Sequence, residues 1–482
     1  MVDHVQPTSM HAQRVVLGDG LQEPLRVVPA SVAVDGQRIV AVAEQSREQW
    51  RAQTSPADGA IDLGDRVLAP AFIDANTHLS MSAFRGLIPT TALGGNVVED
   101  LFYRLEESLT EDDIRAFCRL GAYECLSHGV GLVWDHYYGG MSLAEGISDT
   151  GLAAVIAPTL QDLHGPGATR TEAQLDTTVQ LDASTWHERG IWAALGPHAT
   201  DTVSPDLWRR VAELARERSL PIHAHVAQSI QEYERACQTH GCSPVELLRR
   251  AEALEAIDWL FVHMIFASTD DLRLLDPQRH RLAYCPLSQL QFCFPAHVPS
   301  WTTTELKWVV GTDCAPSNDA MNVQRELPLV AGTRGFAATA GDAYANFRRV
   351  GGLDAARAAH AVRTASYEAL ASLTDPSFLL TRVWAIPGAM HPGFRAGVIA
   401  PGALANLQVL DPTHPALWPS HDVLRTLAMA DTSLAIERLM VAGRWSPVVG
   451  GGLTHDAAYQ DARAEADRRL SAHLRAAFGS TS

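Results

Sequence analysis

Histidine recurs at one kind of position in this chain, at or just after the end of a short apolar run. Five of eight such runs carry a histidine there, and the last run ends in an aspartate. The residues are His78, His136, His198, His225 and His263, with Asp313 after the eighth run. A single histidine is more often a satisfied core residue than a ligand, but packing does not readily explain five of them. Imidazole nitrogens with a carboxylate oxygen suit Zn²⁺ or Fe²⁺, so the pattern indicates a metal site.

The eight apolar runs predict the strands that must position these residues. They span 67–74, 130–135, 153–157, 191–196, 220–225, 259–263, 282–285 and 306–313. Helical stretches lie between most of them: Ser204 before Pro205 predicts one helix start, and Thr110 with Asp113 three residues on predicts another. Continuous apolar strands with helical crossovers indicate a parallel sheet. Eight units over about 250 residues match a (β/α)8 TIM barrel, in which chemistry sits at the carboxyl ends of the strands.

An open, doubly wound sheet is the alternative architecture. No GxGxxG or Walker loop follows any of the eight runs, which disfavours it. Outside the barrel, a turn at Asp35-Gly36 between apolar stretches predicts a hairpin, and 405–410 and 435–442 read as further strands. We therefore expect an α/β protein whose two chain ends form a small β-sandwich domain. The expected bounds are 1–67 and 391–450 for that domain, 68–390 for the barrel and 451–482 for a C-terminal helix.

Composition excludes several classes of partner. The chain has 482 residues, is 46% hydrophobic and carries a net charge of −17, so a basic footprint for nucleic acid is not expected. No run of 18 or more apolar residues occurs, and the N-terminus lacks a signal pattern, so neither membrane insertion nor secretion is expected. The seven cysteines form no CxxC pair, which indicates reduced thiols in a cytoplasmic protein.

Several motifs resemble those of one enzyme family. The segment Ala69-Pro-Ala-Phe-Ile-Asp-Ala-Asn-Thr-His78 resembles the first-strand motif of the amidohydrolase superfamily, and His223-Ala-His-Val-Ala-Gln228 resembles its fifth-strand motif. His263 and Asp313 match the sixth and eighth strands. More narrowly, the motifs at 84–86, 196–199 and 284–288 are similar to the triazine hydrolase, guanine deaminase and S-adenosylhomocysteine deaminase group. The resemblance implies a small-molecule hydrolase of C–N or C–Cl bonds in a compact, cyclic nitrogen compound, and a homodimer.

The resemblance also implies how a metal would be held. Two-metal members usually need a carboxylated lysine on the fourth strand, whereas Lys307, the sole lysine, starts the eighth run, so one ion is expected. The implied ligands are Asn76, His78, His225 and Asp313, holding Zn²⁺ or alternatively Fe²⁺. The ion would lower the pKa of a bound water, and Asp313 would take the proton from that water.

The remaining roles follow from the same resemblance. His263 would orient the water or polarise the leaving portion of the substrate. Position 228 is normally a glutamate that passes on the proton. The residues implied to bind substrate are His198, Phe84, His136, Tyr284 and Ser288.

Three positions depart from the family pattern. Asn76 replaces a histidine, and an amide oxygen is a poorer zinc donor, so reduced occupancy is expected. Gln228 replaces the glutamate and cannot exchange a proton near neutral pH, and Tyr284 replaces a histidine. Three hypotheses remain open: a hydrolase with a weakened metal site, a metal-poor enzyme catalysing a cyclisation or elimination, and a binding protein that retains only the pocket. A metal assay discriminates the first from the others.

Overall fold

The strands of the computed structural model follow the predicted apolar runs. The structure describes residues 8–55, 59–88, 96–447 and 450–478. In chain order its strands are β1 (Thr8–Leu17), β2 (Arg26–Asp35), β3 (Arg38–Glu44), β4 (Ile61–Asp62), β5 (Val67–Pro70), β6 (Phe72–Thr77), β7 (Val130–Tyr137), β8 (Ala153–Leu160), β9 (Ile191–Ala193), β10 (Gly196–Pro197), β11 (Ile222–Val226), β12 (Trp259–His263), β13 (His280–Tyr284), β14 (Lys307–Val310), β15 (Leu407–Leu410), β16 (Ile436–Val441) and β17 (Arg444–Trp445).

The helices lie mostly between the strands of the barrel. They are α1 (Arg47–Gln53), α2 (Tyr103–Glu106), α3 (Glu111–Ser127), α4 (Gly140–Thr150), α5 (Thr171–Leu181), α6 (Ser184–His187), α7 (Pro205–Arg218), α8 (Ile230–His240), α9 (Pro244–Arg250), α10 (Thr269–Arg273), α11 (Pro286–Gln291), α12 (Val298–Trp301), α13 (Ala315–Asn318), α14 (Val323–Thr339), α15 (Asp342–Val350), α16 (Leu353–Ala369), α17 (Pro376–Thr381), α18 (Val423–Met429) and α19 (Ala457–Phe478). A 3₁₀ turn at Leu79–Phe84 and a π-helical turn at Val98–Phe102 precede α2.

Parallel strands close into a barrel. β6, β7 and β8 pair in order, β8 pairs with the interrupted strand formed by β9 and β10, and β11 to β14 pair in order. Two parallel bridges join the two groups: Leu195 pairs with Ile222, and Thr77 pairs with Asp313. β6, β7, β8, β11 and β12 are buried along their whole length, as strands covered on both faces must be. This strand pairing is consistent with the predicted (β/α)8 barrel.

The seam between the first and eighth barrel strands depends on a glycine. The backbone N–H of Asp313 donates to the carbonyl of Asn76 at 2.8 Å. A Cβ at Gly311 would lie only 2.6 Å from the backbone nitrogen of Asn76, so the strands can approach this closely only with glycine at that position. The regular part of β14 ends at Val310, three residues before Asp313, where the sequence run predicts the strand end.

Both chain ends contribute to a second sheet. Its strand order is β17-β16-β15-β5-β1-β2-β3, with β4 also paired to β1. Ile39 on β3 exchanges backbone hydrogen bonds with Gly402 and Ala403, so this sheet bends over its own hydrophobic core. The chain passes from this sheet into the barrel between Pro70 and Phe72.

The helix starts predicted from local sequence are present. The Ser204 side chain accepts from the Leu207 N–H at the start of α7, and Thr110 and Asp113 form a capping box on α3. The C-terminal helix α19 packs on α3, where Arg469 pairs with Asp113 at 3.2 Å. Within the described ranges, no helix is long and apolar enough to cross a membrane.

Candidate active site and metal centre

A cavity of about 290 Å³ opens at the carboxyl ends of the barrel strands. Most residues that the sequence predicts for the site line it: His78, His136, His198, His225, Gln228, His263, Ser288 and Asp313. Three others, Asn76, Phe84 and Tyr284, are absent from the described residues that line it. The barrel thus brings eight residues from seven parts of the chain to one mouth, because parallel strands end at the same rim.

Three predicted ligands converge at His78. Its Nε2 lies 3.3 Å from Nε2 of His225 and 3.3 Å from Oδ1 of Asp313. Ligand atoms about 2.0 Å from one tetrahedrally coordinated ion are separated by roughly 3.3 Å, so each of these two spacings matches a pair of ligands that share an ion. Because both atoms lie 3.3 Å from Nε2 of His78, Nε2 of His225 and Oδ1 of Asp313 can be separated by at most twice that distance. Burial alone would lower the pKa of His78, but the ion pair with Asp313 raises that pKa to about 8.

The backbone orients these ligands. Nδ1 of His78 donates to the carbonyl of His136 at 2.5 Å, which leaves Nε2 turned toward the centre. The backbone N–H of His225 bonds to the carbonyl of His198. Burial and the neighbouring histidines hold the pKa of His225 well below its usual range, so its ring is neutral and able to coordinate an ion.

Asp313 is held in a sparsely populated backbone conformation. Its φ is 69°, and that of His263 is 72°, values that cost a non-glycine residue about 1–3 kcal/mol. Ser288 donates to Oδ2 of Asp313 at 2.7 Å. The preceding Thr312 is anchored through its N–H and hydroxyl to the buried Asp74, at 2.9 and 2.6 Å. The surrounding structure therefore fixes the carboxylate toward the cavity.

Asn76 is engaged away from the three converging atoms. Its Oδ1 accepts from Nε2 of His223 at 2.9 Å, and its Nδ2 donates to Sγ of Cys285 at 3.6 Å. Asn76 is fully buried and outside the cavity lining. The donor set of His78, His225 and Asp313 nonetheless fits one Zn²⁺ or Fe²⁺, with the fourth position not supplied by the amide.

His263 is directed into the centre without a partner. Its Nε2 lies 3.8 Å from Oδ2 of Asp313, and its ring stacks on His225 with 5.4 Å between centroids. Neither ring nitrogen has a hydrogen-bond partner among the described residues. Burial lowers its pKa, so the ring is neutral and can accept or donate one hydrogen bond to a water or substrate.

His136 and His198 differ in how many of their ring nitrogens are hydrogen-bonded. Nε2 of His136 donates to the carbonyl of Gly196 at 3.0 Å, and the Thr159 hydroxyl donates to its Nδ1 at 3.2 Å, so both nitrogens are used. His198 bonds to the hydroxyl of Thr202 through Nδ1 at 3.0 Å only. Burial and the charge of His78 lower its pKa to about 3, so His198 meets the cavity as a neutral ring.

A glutamate absent from the sequence prediction positions Gln228. Glu232 accepts from the backbone N–H groups of Ala227 and Gln228, at 3.1 and 2.7 Å, and from the Thr200 hydroxyl at 2.6 Å. It therefore ties the loop after β11 to the loop after β10. The sequence carries a signal for it: Ser229 begins α8 as N-cap with Glu232 three residues on, but the carboxylate reaches back to residues 227 and 228 rather than to the cap.

The segment before α3 covers the cavity. Tyr103 and Glu106 of α2 line it, and burial raises the pKa of the Glu106 carboxyl to about 7. Arg235 pairs with Glu99 of this segment and, at 2.8 Å, with Asp201 after the fourth strand, which holds the cover in place. None of these was predicted, because isolated charged residues in loops give no distinctive sequence pattern.

Phe84 and Tyr284 occupy packing positions. The Phe84 ring lies 6.0 Å from that of Phe117 and 5.7 Å from that of His473. The Tyr284 ring lies 6.4 Å from that of Trp301. The structure therefore brings neither of these two predicted substrate contacts to the cavity wall.

Comparison with known proteins places the chain in a family. A profile of the amidohydrolase family matches residues 67–446, so the chain belongs to that family. Relatives named 5-methylthioadenosine/S-adenosylhomocysteine deaminase include one from Pyrococcus horikoshii, 26% identical over 92% of this chain and 95% of the relative. One from Moorella thermoacetica is also 26% identical, over 89% of this chain and 94% of the relative.

Solved structures agree on the fold. A zinc-bound adenosine deaminase from Xanthomonas campestris has a TM-score of 0.77 at 21% identity, covering 96% of this chain and 98% of that one. A guanine deaminase from C. acetobutylicum with bound guanine has a TM-score of 0.73 at 12% identity, covering 91% and 100%. The predicted fold class and amidohydrolase-type enzyme class are confirmed.

Proposed function

We propose that this chain is a single-metal hydrolase that removes an exocyclic amino group from a purine-like heterocycle or its nucleoside. The observation that carries the proposal is that His225 and Asp313 each approach Nε2 of His78 to 3.3 Å at the mouth of the barrel. The relatives that cover nine-tenths of the chain are named as nucleoside-type deaminases, which supports the choice of bond and substrate class.

Each residue has a task in such a reaction. The bound ion, which we propose is Zn²⁺ with Fe²⁺ as the alternative, supplies Lewis-acid activation of water. Asp313, fixed by Ser288, accepts the proton of the attacking water, and His263 orients that water or the leaving amino group. Gln228 holds the substrate through its amide but transfers no proton.

The cavity supports a compact aromatic substrate. Its volume of about 290 Å³ lies at the lower end of the range for small-molecule sites. Phe102, Phe292 and Phe294 contribute an apolar wall, against which a flat ring packs. Glu106 provides one polar group at the covered end, and we assign it a hydrogen bond to a hydroxyl or amino substituent of the substrate.

One observation favours a second candidate. Gln228 stands where a proton-transferring glutamate is expected, and Asn76 stands in place of a metal-binding histidine. A cyclisation or elimination that needs no proton from position 228 would tolerate both changes. This alternative predicts turnover without release of ammonia.

The test combines metal content with product chemistry. Protein purified without chelator is analysed for zinc and iron by mass spectrometry and assayed for ammonia release from adenosine, guanine and 5-methylthioadenosine. We expect about one zinc or less per chain and ammonia release from at least one compound, both lost in Asp313→Ala. Full activity in metal-free protein would refute the proposal, and turnover without ammonia would favour the second candidate.

We also propose a homodimer in the cytoplasm. Val350, Leu353 and Tyr367, on α15 and α16, are more than half exposed, an arrangement that a second copy would cover. All seven cysteines are free thiols, as in a reducing compartment. Sedimentation equilibrium tests the dimer, and a monomer at micromolar concentration would refute it.

A further inference from the structure

The thiol of Cys285 lies beside one of the proposed metal ligands, Asp313. Cys285 follows β13 and is fully buried. Its Sγ, one ring nitrogen of His263 and one carboxylate oxygen of Asp313 all lie within 4.8 Å of one another. Cys285 thus stands beside a carboxylate that already faces the converging histidines, on the side of the centre occupied by Asn76.

The amide of Asn76 leaves that side open. Its oxygen is used by His223 at 2.9 Å, and its Nδ2 points to the Cys285 sulfur at 3.6 Å. An amide held in this orientation presents its nitrogen, which is not a ligand atom, toward the thiol. The Cys285 sulfur is therefore a soft donor in contact with the residue that replaces the expected strand-one ligand.

A second observation also points to an ion on this side. His263 is 2% exposed, and within the described part of the chain its ring nitrogens make no hydrogen bond of normal geometry, although the Gln289 side chain is close enough to affect its pKa. Leaving a buried polar group without a partner is unfavourable, so such groups usually meet a ligand or water. The His263 ring and the Cys285 thiol both lie beside the Asp313 carboxylate.

We propose that Cys285 is a metal ligand that acts beside Asp313, on the side of the site where Asn76 supplies no donor. The proposal rests on the single-metal site proposed above. On binding a divalent ion, the Cys285 S–H bond breaks, the sulfur–metal bond forms from the same electron pair, and the proton passes to solvent. A thiolate donor favours Zn²⁺ over the harder Fe²⁺ and Mn²⁺, and two anionic ligands then balance the charge of the ion.

Spectroscopy of the loaded protein tests the ligand directly. The zinc-loaded full chain is examined by X-ray absorption, where one sulfur at about 2.3 Å is resolved from nitrogen and oxygen at about 2.0–2.2 Å. The cobalt-loaded chain is examined for thiolate-to-metal charge transfer in the near ultraviolet. We expect the sulfur distance and the charge-transfer band in the unaltered protein, and loss of both in Cys285→Ser.

Cys314→Ser is the matched control. Cys314 is also buried and follows Asp313 directly, but its Sγ contacts the Ser317 hydroxyl at 3.2 Å. We expect this variant to keep the sulfur signal. Should Cys285→Ser fail to fold, the sulfur distance in the unaltered protein and its persistence in Cys314→Ser decide together.

The outcomes separate this proposal from the one it rests on. A bound ion with only nitrogen and oxygen neighbours overturns the role of Cys285 and leaves the single-metal hydrolase standing. Failure of the unaltered protein to bind zinc or cobalt overturns both. A sulfur signal that persists in Cys285→Ser and disappears in Cys314→Ser assigns the thiolate to Cys314 and also overturns the proposal.

Discussion

His78 and Asp313 face each other across the closure of the barrel, with Nε2 of the histidine 3.3 Å from Oδ1 of the carboxylate. The same two segments exchange backbone hydrogen bonds, since the Asp313 N–H donates to Asn76 and the His78 N–H donates to Asp313. The backbone pairing that closes the barrel therefore also brings these two proposed ligands together. A change that loosens this closure should reduce metal binding before it alters the rest of the fold.

The hydroxyl of Ser288 is expected to set the position of the Asp313 carboxylate. Ser288→Ala removes a 2.7 Å hydrogen bond to a charged acceptor, worth about 1.5–3 kcal/mol. We expect kcat/KM to fall by roughly tenfold or more, with metal content retained because the other ligands remain. Ser127→Ala, which removes another buried hydroxyl far from the site, serves as the control. Equal losses in the two variants would show a general packing effect.

Glu232 is expected to act on substrate binding through the loop that carries Gln228. Glu232→Gln replaces a carboxylate that accepts from the N–H groups of Ala227 and Gln228 with an amide that has a single acceptor oxygen. We expect KM to rise by about tenfold with a smaller change in kcat, the scale of one lost hydrogen bond. Glu234→Gln, on the exposed face of the same helix, should change neither. A fall in kcat with KM unchanged would argue against a positioning role.

Strand periodicity explains much of what the sequence predicts. Residues that follow buried parallel strands must meet at one rim, and His78, His225, His263 and Asp313 do so. The same alternation explains the placement of Tyr284: Cys285 faces the metal centre, so its neighbour in β13 faces outward against Trp301. Matching a sequence motif to a family does not by itself say which face of the strand each residue occupies.

Residues outside the strands are less accessible to prediction. Phe84 lies in a 3₁₀ turn that directs its ring onto Phe117 and His473 instead of into the cavity. Glu106 and Glu232 act through loops and helix starts, whose direction depends on tertiary packing rather than on a repeat in the sequence. Long-range contacts of this kind require the folded structure.

Restoring a histidine at position 76 is expected to strengthen metal binding. Asn76→His offers an imidazole in place of an amide whose oxygen is already used by His223. We expect higher zinc occupancy after purification and a larger rise in melting temperature on adding zinc, since binding to the folded state alone stabilises it. The measurement is a thermal melt with and without micromolar zinc. No change in either quantity would mean that position 76 does not limit binding.

The buried carboxyl of Glu106 predicts a pH-dependent stability. Burial raises its pKa to about 7 in the folded chain, against about 4.3 when unfolded. Its proton is therefore held more tightly in the folded state, and stability is lost as pH rises from the unfolded value through 7. The Gln side chain of Glu106→Gln stays neutral at every pH. After chelator treatment, the melting temperature of this variant should therefore lie a few degrees above that of the unaltered protein at pH 8 and close to it at pH 4. Glu107→Gln, at an exposed neighbour, is the control.

Gln228 provides the sharpest test of the reaction class. Its amide can orient a substrate but cannot transfer a proton. We expect Gln228→Ala to reduce turnover by roughly tenfold, as for one lost hydrogen bond, and Asp313→Ala by a hundredfold or more, as for a missing base. Gln228→Glu restores a carboxyl beside the cavity and should raise ammonia release from amino-substituted heterocycles. The measurement is ammonia release by the three variants, with the metal content of each determined, because Asp313→Ala also removes a proposed metal ligand. If Gln228→Glu abolishes the native activity while Asp313→Ala leaves it intact, metal-assisted hydrolysis is the wrong class, because the proposed base would then be dispensable and a proton donor harmful.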